Sequence, residues 1–195
     1  MEGDLDLLRS WQAGDKQAGS RLFARHFSAM RRFFGNKIAD GEAEDLIQQC
    51  MLECVKASEA FRGHSSFRAY LFAIARRQLW HHVHRRSRDA GRREPDQTVS
   101  SLADCGLSPS KLAAHSEVQA RIAEAMRRLP IDLQIALELH YWEQLTSSEL
   151  GEVLGISPVT ARTRLHRARE QLREMLSDLP ESNVDTSITT VGKSF

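Results

Sequence analysis

Residues 146–176, TSSELGEVLGISPVTARTRLHRAREQLREML, constrain the fold more than any other stretch. Thr146 and Glu149 fit a capping box, in which two side chains satisfy the backbone donors at a helix start. Leu150, Val153 and Leu154 supply an inward face at helical spacing. Gly155 can take a positive φ and end that helix. Ser157 can cap the next one, and Pro158 suits its first position, where no backbone N–H is required. Ala161, Leu165, Ala168 and Leu172 then recur as one apolar stripe, while Thr160, Arg162, Thr163, His166 and Arg167 fall on the other side. Residues 158–173 hold five Arg and one Glu, a local charge of +4. Two short helices around a glycine turn, the second one basic, read as a helix-turn-helix whose second helix lies in a DNA major groove. Arginine can pair bidentately with guanine or hold phosphates, and threonine can meet a base edge or a thymine methyl.

Net charge is uninformative, because 27 Lys and Arg face 26 Asp and Glu. Its distribution is not. Residues 1–60 carry 8 basic and 10 acidic side chains, residues 61–93 carry 9 and 1, and residues 94–145 carry 4 and 8. A basic island in a neutral chain marks a surface facing a polyanion. Three Cys, no secretory leader and no apolar run of membrane-spanning length point to a reduced, cytoplasmic protein without membrane insertion. Cys50 and Cys54 lie one helical turn apart, but no second pair completes a metal site, so they are expected in the core with no metal or cofactor bound. His81, His82 and His84 lie among arginines and are assigned to the basic surface.

Helical periods run through almost the whole chain, predicting an all-α fold. A first short helix holds Leu5, Leu7 and Leu8. A second carries Leu22, Phe23, Phe27, Met30 and Phe34 inward. Glu42 to Ser58 starts with acids that suit the positive end of a helix dipole. Its expected core face is Leu46, Ile47, Cys50, Met51, Cys54 and Val55, with Asp45, Gln48, Gln49 and Glu53 pointing away. A loop at 61–66 precedes a long arginine-rich helix to about Arg88, with Phe67, Leu71, Ile74, Leu79 and Val83 on one side. Periodicity fades over 89–115, a linker whose middle can pack on a partner. Ser116 to Arg128 and a helix through Leu137 then lead into the helix-turn-helix. The expected units are 4–88, a linker at 89–115, 116–177, and a disordered tail at 178–195.

The arginine helix also interleaves aromatics. Phe61, Phe67, Tyr70 and Trp80 stand among Arg68, Arg76, Arg77, Arg85, Arg86 and Arg88. Unstacked bases need a π surface and phosphates need cations, so the pattern suits a single strand. The other reading of Phe67 and Tyr70 is plain core.

Four stretches together resemble a known family. They are GDKQAGSRLFARHF at 14–27, AEDLIQQCMLECVKA at 43–57, FRGHSSFRAYLFAIARRQL at 61–79 and LTSSELGEVLGISPVTARTRLHRARE at 145–170. Their order and spacing resemble bacterial sigma factors of the extracytoplasmic-function group. The resemblance implies two small helical domains on a flexible linker, and a non-enzymatic transcription initiation factor. Its implied partners are core RNA polymerase, through clamp helices and flap, promoter DNA, and a cognate anti-sigma protein. By position, Asp45, Gln48, Gln49 and Glu53 would face the clamp. Phe61, Arg62, His64, Ser65, Ser66 and Phe67 would hold a flipped minus-ten base, with Arg76, Arg77, Gln78 and Trp80 near that strand or the adjoining duplex. Pro158, Val159, Thr160, Arg162, Thr163, His166, Arg167 and Arg173 would meet the minus-thirty-five duplex. Three positions depart from the family: Gln49 where an acid is usual, Val159 for a usual Gly, and Tyr70 for a common Trp. Two other classes fit parts of the pattern, an operator-binding helix-turn-helix regulator that works without polymerase and a helical protein binding single-stranded RNA.

Overall fold

The computed structural model describes residues 2–57, 66–96, 100–105, 107, 117–177, 188 and 189. Eight helices make up these residues: α1 (Asp4–Gln12), α2 (Lys16–Gly35), α3 (Asp40–Ala57), α4 (Phe67–Asp89), α5 (Glu117–Arg128), α6 (Ile131–Tyr141), α7 (Ser147–Leu154) and α8 (Pro158–Met175). The all-α expectation holds, and no strand occurs among the described residues. The residues 58–65, with Phe61, Arg62, His64 and Ser65, lie outside that set.

Asp15 caps α2 by accepting from the amides of Gln17 and Ala18, at 2.8 and 3.2 Å. Apolar residues at helical spacing then turn α2, α3 and α4 onto one another, with Leu22, Met30, Phe34, Leu46, Ile47, Cys50 and Leu71 buried. Two inward assignments fail. Phe27 is 45% exposed and Val55 equally so, whereas Ile38 and Phe33 are buried. Which side of a helix is buried is set by the neighbours that cover it, and α3 presents Leu52, Val55 and Lys56 to solvent. His82 also departs from expectation: it lies 3% exposed within α4, and burial holds its pKa below the ordinary histidine value.

α4 is buried on more than one side, because α2 and α3 pack on it from one direction and α7 from another. α6 goes further: it is buried on nearly every side, and a helix buried all round needs partners all round. Its Ile131, Ile135, Ala136 and Leu139 join the apolar cluster of α1–α4, while Leu137 joins a second cluster with Ile122, Met126, Leu165 and Leu172. The first core therefore runs unbroken from the N-terminal helices into α6 and α7.

The middle of the linker packs, and its partner is this same chain. Leu102, Cys105 and Leu107 are buried in the first cluster. The amide of Ile131 donates to the Ser100 carbonyl at 3.0 Å, and the Arg127 guanidinium donates to the carbonyl of Leu107. The tail also differs from the expected disorder at its described residues. Ile188 is fully buried in the second cluster, and Trp142 Nε1 donates to its carbonyl at 2.7 Å.

Candidate nucleic-acid interface

The helix-turn-helix forms as its local chemistry dictates. Thr146 Oγ1 accepts from the Glu149 amide at 3.3 Å, and Glu149 Oε2 accepts from the Thr146 amide at 2.9 Å, so the capping box closes. Gly155 ends α7 at φ 67°, a conformation that costs an L side chain energy. The next amide, Ile156, returns to the Gly151 carbonyl at 2.9 Å. Gly151 is required for a different reason: a Cβ there would lie 2.7 Å from the Ile156 carbonyl oxygen. Ser157 Oγ then accepts from the Thr160 amide at 3.1 Å and starts α8.

α8 turns Ala161, Leu165, Ala168 and Leu172 inward, all buried. Pro158, Val159, Thr160, Arg162, Thr163, His166, Arg167 and Arg173 are all exposed on the outside. Val159 is the most exposed large apolar residue described, at 62%. An uncovered apolar group at the first turn of a basic helix suits a thymine methyl better than it suits water. Two other arginines of α8 are not available in this way. Arg164 pairs with Asp132 at 2.9 Å, and Arg169 donates to the Tyr141 hydroxyl at 2.8 Å.

The predicted single-strand helix presents the opposite picture. Ser66 Oγ caps α4 at the Ala69 amide, 3.2 Å away, and donates to Glu149 Oε1 at 2.6 Å. Burial alone would push the Glu149 pKa up; the hydrogen bonds from Ser66 and Thr146 outweigh it and hold the group below the ordinary glutamate value. Phe67 and Trp80, expected to face a strand, are 1% and 3% exposed. Arg76 makes a bidentate pair with Asp132, Nε to Oδ1 and Nη2 to Oδ2 at 2.9 Å each. Arg77 and Gln78 both donate to Glu53, Gln78 at 2.7 Å, and Arg86 pairs with Glu42 at 2.9 Å. These acids come from α3 and α6, which the sequence places far from the arginine run.

On α3 the four residues of the predicted docking face do not all point the same way. Glu53 turns toward α4 and away from Asp45, Gln48 and Gln49, which are exposed. Leu52, 59% exposed, joins those three at helical spacing. Sequence reasoning missed it, although its place seven residues after Asp45 was a sufficient signal. Cys50 and Cys54 are buried as expected; burial pushes both thiols up, Cys54 to about 12.

Comparison with known proteins follows the same division of the chain. A family model described as sigma-70 region 2 matches residues 22–89, and one described as sigma-70, region 4 matches residues 119–172. The RNA polymerase sigma-H factor of Pseudomonas aeruginosa is 30% identical over 189 residues, covering 91% of this chain and 96% of that protein. The ECF RNA polymerase sigma-E factor of Haemophilus influenzae is 25% identical over 186 residues, covering 90% and 96%. The chain belongs to the extracytoplasmic-function group of sigma-70 factors. It is a transcription initiation factor that directs RNA polymerase to promoters. The fold of this sigma factor is shared by RpoE of Bartonella quintana, solved in complex with the anti-sigma factor NepR, at a TM-score of 0.62 and 20% identity over 81% of this chain and 96% of that one. No described helix is long and apolar enough to cross a membrane.

Proposed function

We propose that the sigma factor divides promoter recognition between its two arginine-rich helices. α8 reads the minus-thirty-five element as duplex, with Val159, Thr160, Arg162, Thr163 and Arg167 at base edges and His166 and Arg173 toward the backbone. The observation carrying this is the exposed basic face on a helix whose other face is fully buried. α4, its preceding loop and Arg76, Arg77, Gln78 and Trp80 receive the melted minus-ten strand. Asp45, Gln48, Gln49 and Leu52 dock on the polymerase clamp, and the unit 116–177 contacts the flap. The protein works in the cytoplasm, catalyses no reaction itself, and is held by an anti-sigma partner, as the Bartonella relative is by NepR.

Run-off transcription with core polymerase tests this reading. Wild type is expected to give promoter-specific transcripts after selection of DNA by the reconstituted holoenzyme. Asp45→Arg is expected to keep its helical content and lose core binding. A folded Asp45→Arg protein that co-purifies with core enzyme at wild-type levels removes α3 from the clamp contact.

A further inference from the structure

The helices α5, α6 and α8 enclose an apolar groove that they do not fill themselves. α6 is its wall, and the other side of that helix is fixed in place: Lys37, at the end of α2, donates to Glu138, and both side chains are buried. Into the groove point Leu137 from α6, Ile122 and Met126 from α5, and Leu165 and Leu172 from α8. The residue that completes this cluster comes from outside all three helices. Ile188 is 0% exposed among them, and the indole of Trp142, which caps the end of α6, donates to its backbone carbonyl at 2.7 Å.

This is how a bound peptide is held, by one aliphatic side chain in a pocket and one main-chain hydrogen bond. Asp185, Thr186 and Ser187 precede Ile188 and Thr189 and Thr190 follow it, so it is the apolar anchor of a polar stretch. Ile188 covers only part of the groove. A cleft of about 510 Å³ lies between α5 and the end of α8, with Ala120, Ala125, Met175 and Leu176 along it and Glu124 and Arg128 as charged neighbours. Ala125 and Leu176 belong to the same cluster as Ile188, so the cleft and the isoleucine seat are continuous. Met175 is 43% exposed. An apolar seat that continues into a charge-lined cleft fits the apolar face of an amphipathic helix.

We propose that Ile188 anchors a tethered ligand of this groove and competes there with an amphipathic helix of the polymerase flap. The competition rests on the assignment of the flap to the unit 116–177; the docking of Ile188 does not. Residues 177–187 alone separate Leu176 from Ile188, and a tether that short sets an effective concentration on the order of millimolar. A groove occupied about nine-tenths of the time weakens a competitor about tenfold. The outer face of α8 is not part of the groove, so duplex reading is independent of its occupancy.

The test compares the full chain with Ile188→Asp, which sets a charge in the apolar seat, and with a chain ending at Ser177. Circular dichroism checks that both variants stay helical. The chain has three Trp, and Trp142→Phe assigns the Trp142 indole N–H signal by nuclear magnetic resonance. In wild type that N–H should be protected from solvent exchange, and in both variants it should exchange freely. A labelled peptide of the polymerase flap should then bind both variants about tenfold more tightly than wild type. A free peptide of residues 184–193, added to the shortened chain, should displace the flap peptide. Affinity for the minus-thirty-five duplex should change less than twofold. Free exchange of the Trp142 indole in wild type overturns the docking. A protected indole with equal flap-peptide affinity in all three proteins overturns the competition. A flap peptide that binds none of them overturns the flap assignment and the competition with it, and the indole signal still decides the docking.

Discussion

α4 and α8 look alike as sequence and differ as surfaces. Each is long, amphipathic and rich in arginine. On α8, Arg162, Arg167 and Arg173 stand exposed outside a buried apolar stripe. On α4, Arg76, Arg77 and Arg86 each meet a carboxylate, from residues 56, 24 and 44 positions away in the chain. A run of basic residues thus states what charge a helix carries, not what charge it presents. Presentation depends on acids that the fold delivers from elsewhere: α3 and α6 deliver them along α4, whereas on α8 Asp132 reaches Arg164 and leaves the outer face open.

The largest expected effect breaks this difference at its base. Glu138→Ala leaves the Lys37 ammonium buried without its carboxylate and should cost about 3–5 kcal/mol in chemical denaturation. A loss below about 1 kcal/mol would mean that the lysine finds water once its carboxylate is gone. Ile188→Ala acts on the other helix. Removing a buried isoleucine from the cluster beneath α8 should cost about 2–5 kcal/mol, with hydrogen exchange accelerating in α5 and α8 before α4. Equal acceleration throughout would show that the two clusters melt as one.

Binding sharpens the contrast further. Arg162→Ala should weaken the cognate minus-thirty-five duplex by about 1–3 kcal/mol and relax one or two base positions. Arg76→Ala should leave duplex binding unaltered. A duplex defect in Arg76→Ala equal to that of Arg162→Ala would place both helices on the same DNA. The smallest effect is local: Thr146→Ala opens the capping box and should cost about 1 kcal/mol, read as a lowered Tm with DNA preference kept.

The helix-turn-helix was legible almost residue by residue, because capping, the Gly155 turn and the Pro158 start are decided within a few positions of chain. The recognition face of α8 followed from the same short-range period. The α4 side was not legible. Phe67 and Trp80 read equally well as a strand platform or as core until α2, α3 and α7 are in place to bury them. Val55 fell on the wrong face of α3 and Glu53 is drawn to Arg77 and Gln78, because which edges of that helix are covered depends on where α4 lies. Asp132 and Glu138 gave no signal at all. An acid on an apolar helix is recognisable as half of a buried pair only when its partner, some hundred residues away for Glu138 and Lys37, is known. Ile188 lay hidden in a polar tail for the same reason.

Asp132 has a consequence for how salt acts on this protein. Its two oxygens serve guanidiniums from α4 and α8 at once. On the proposed assignment of Arg76 to DNA, a phosphate would take it from Asp132, and one charge-assisted pair would replace another of similar strength. The arginine is then exchanged between two anions, not newly neutralised. The cations a phosphate sheds are partly recaptured by the carboxylate left behind, so that contact contributes less than the usual slope of about 0.9 per phosphate. The strand contact proposed for α4 should accordingly be less sensitive to ionic strength than the duplex contact proposed for α8.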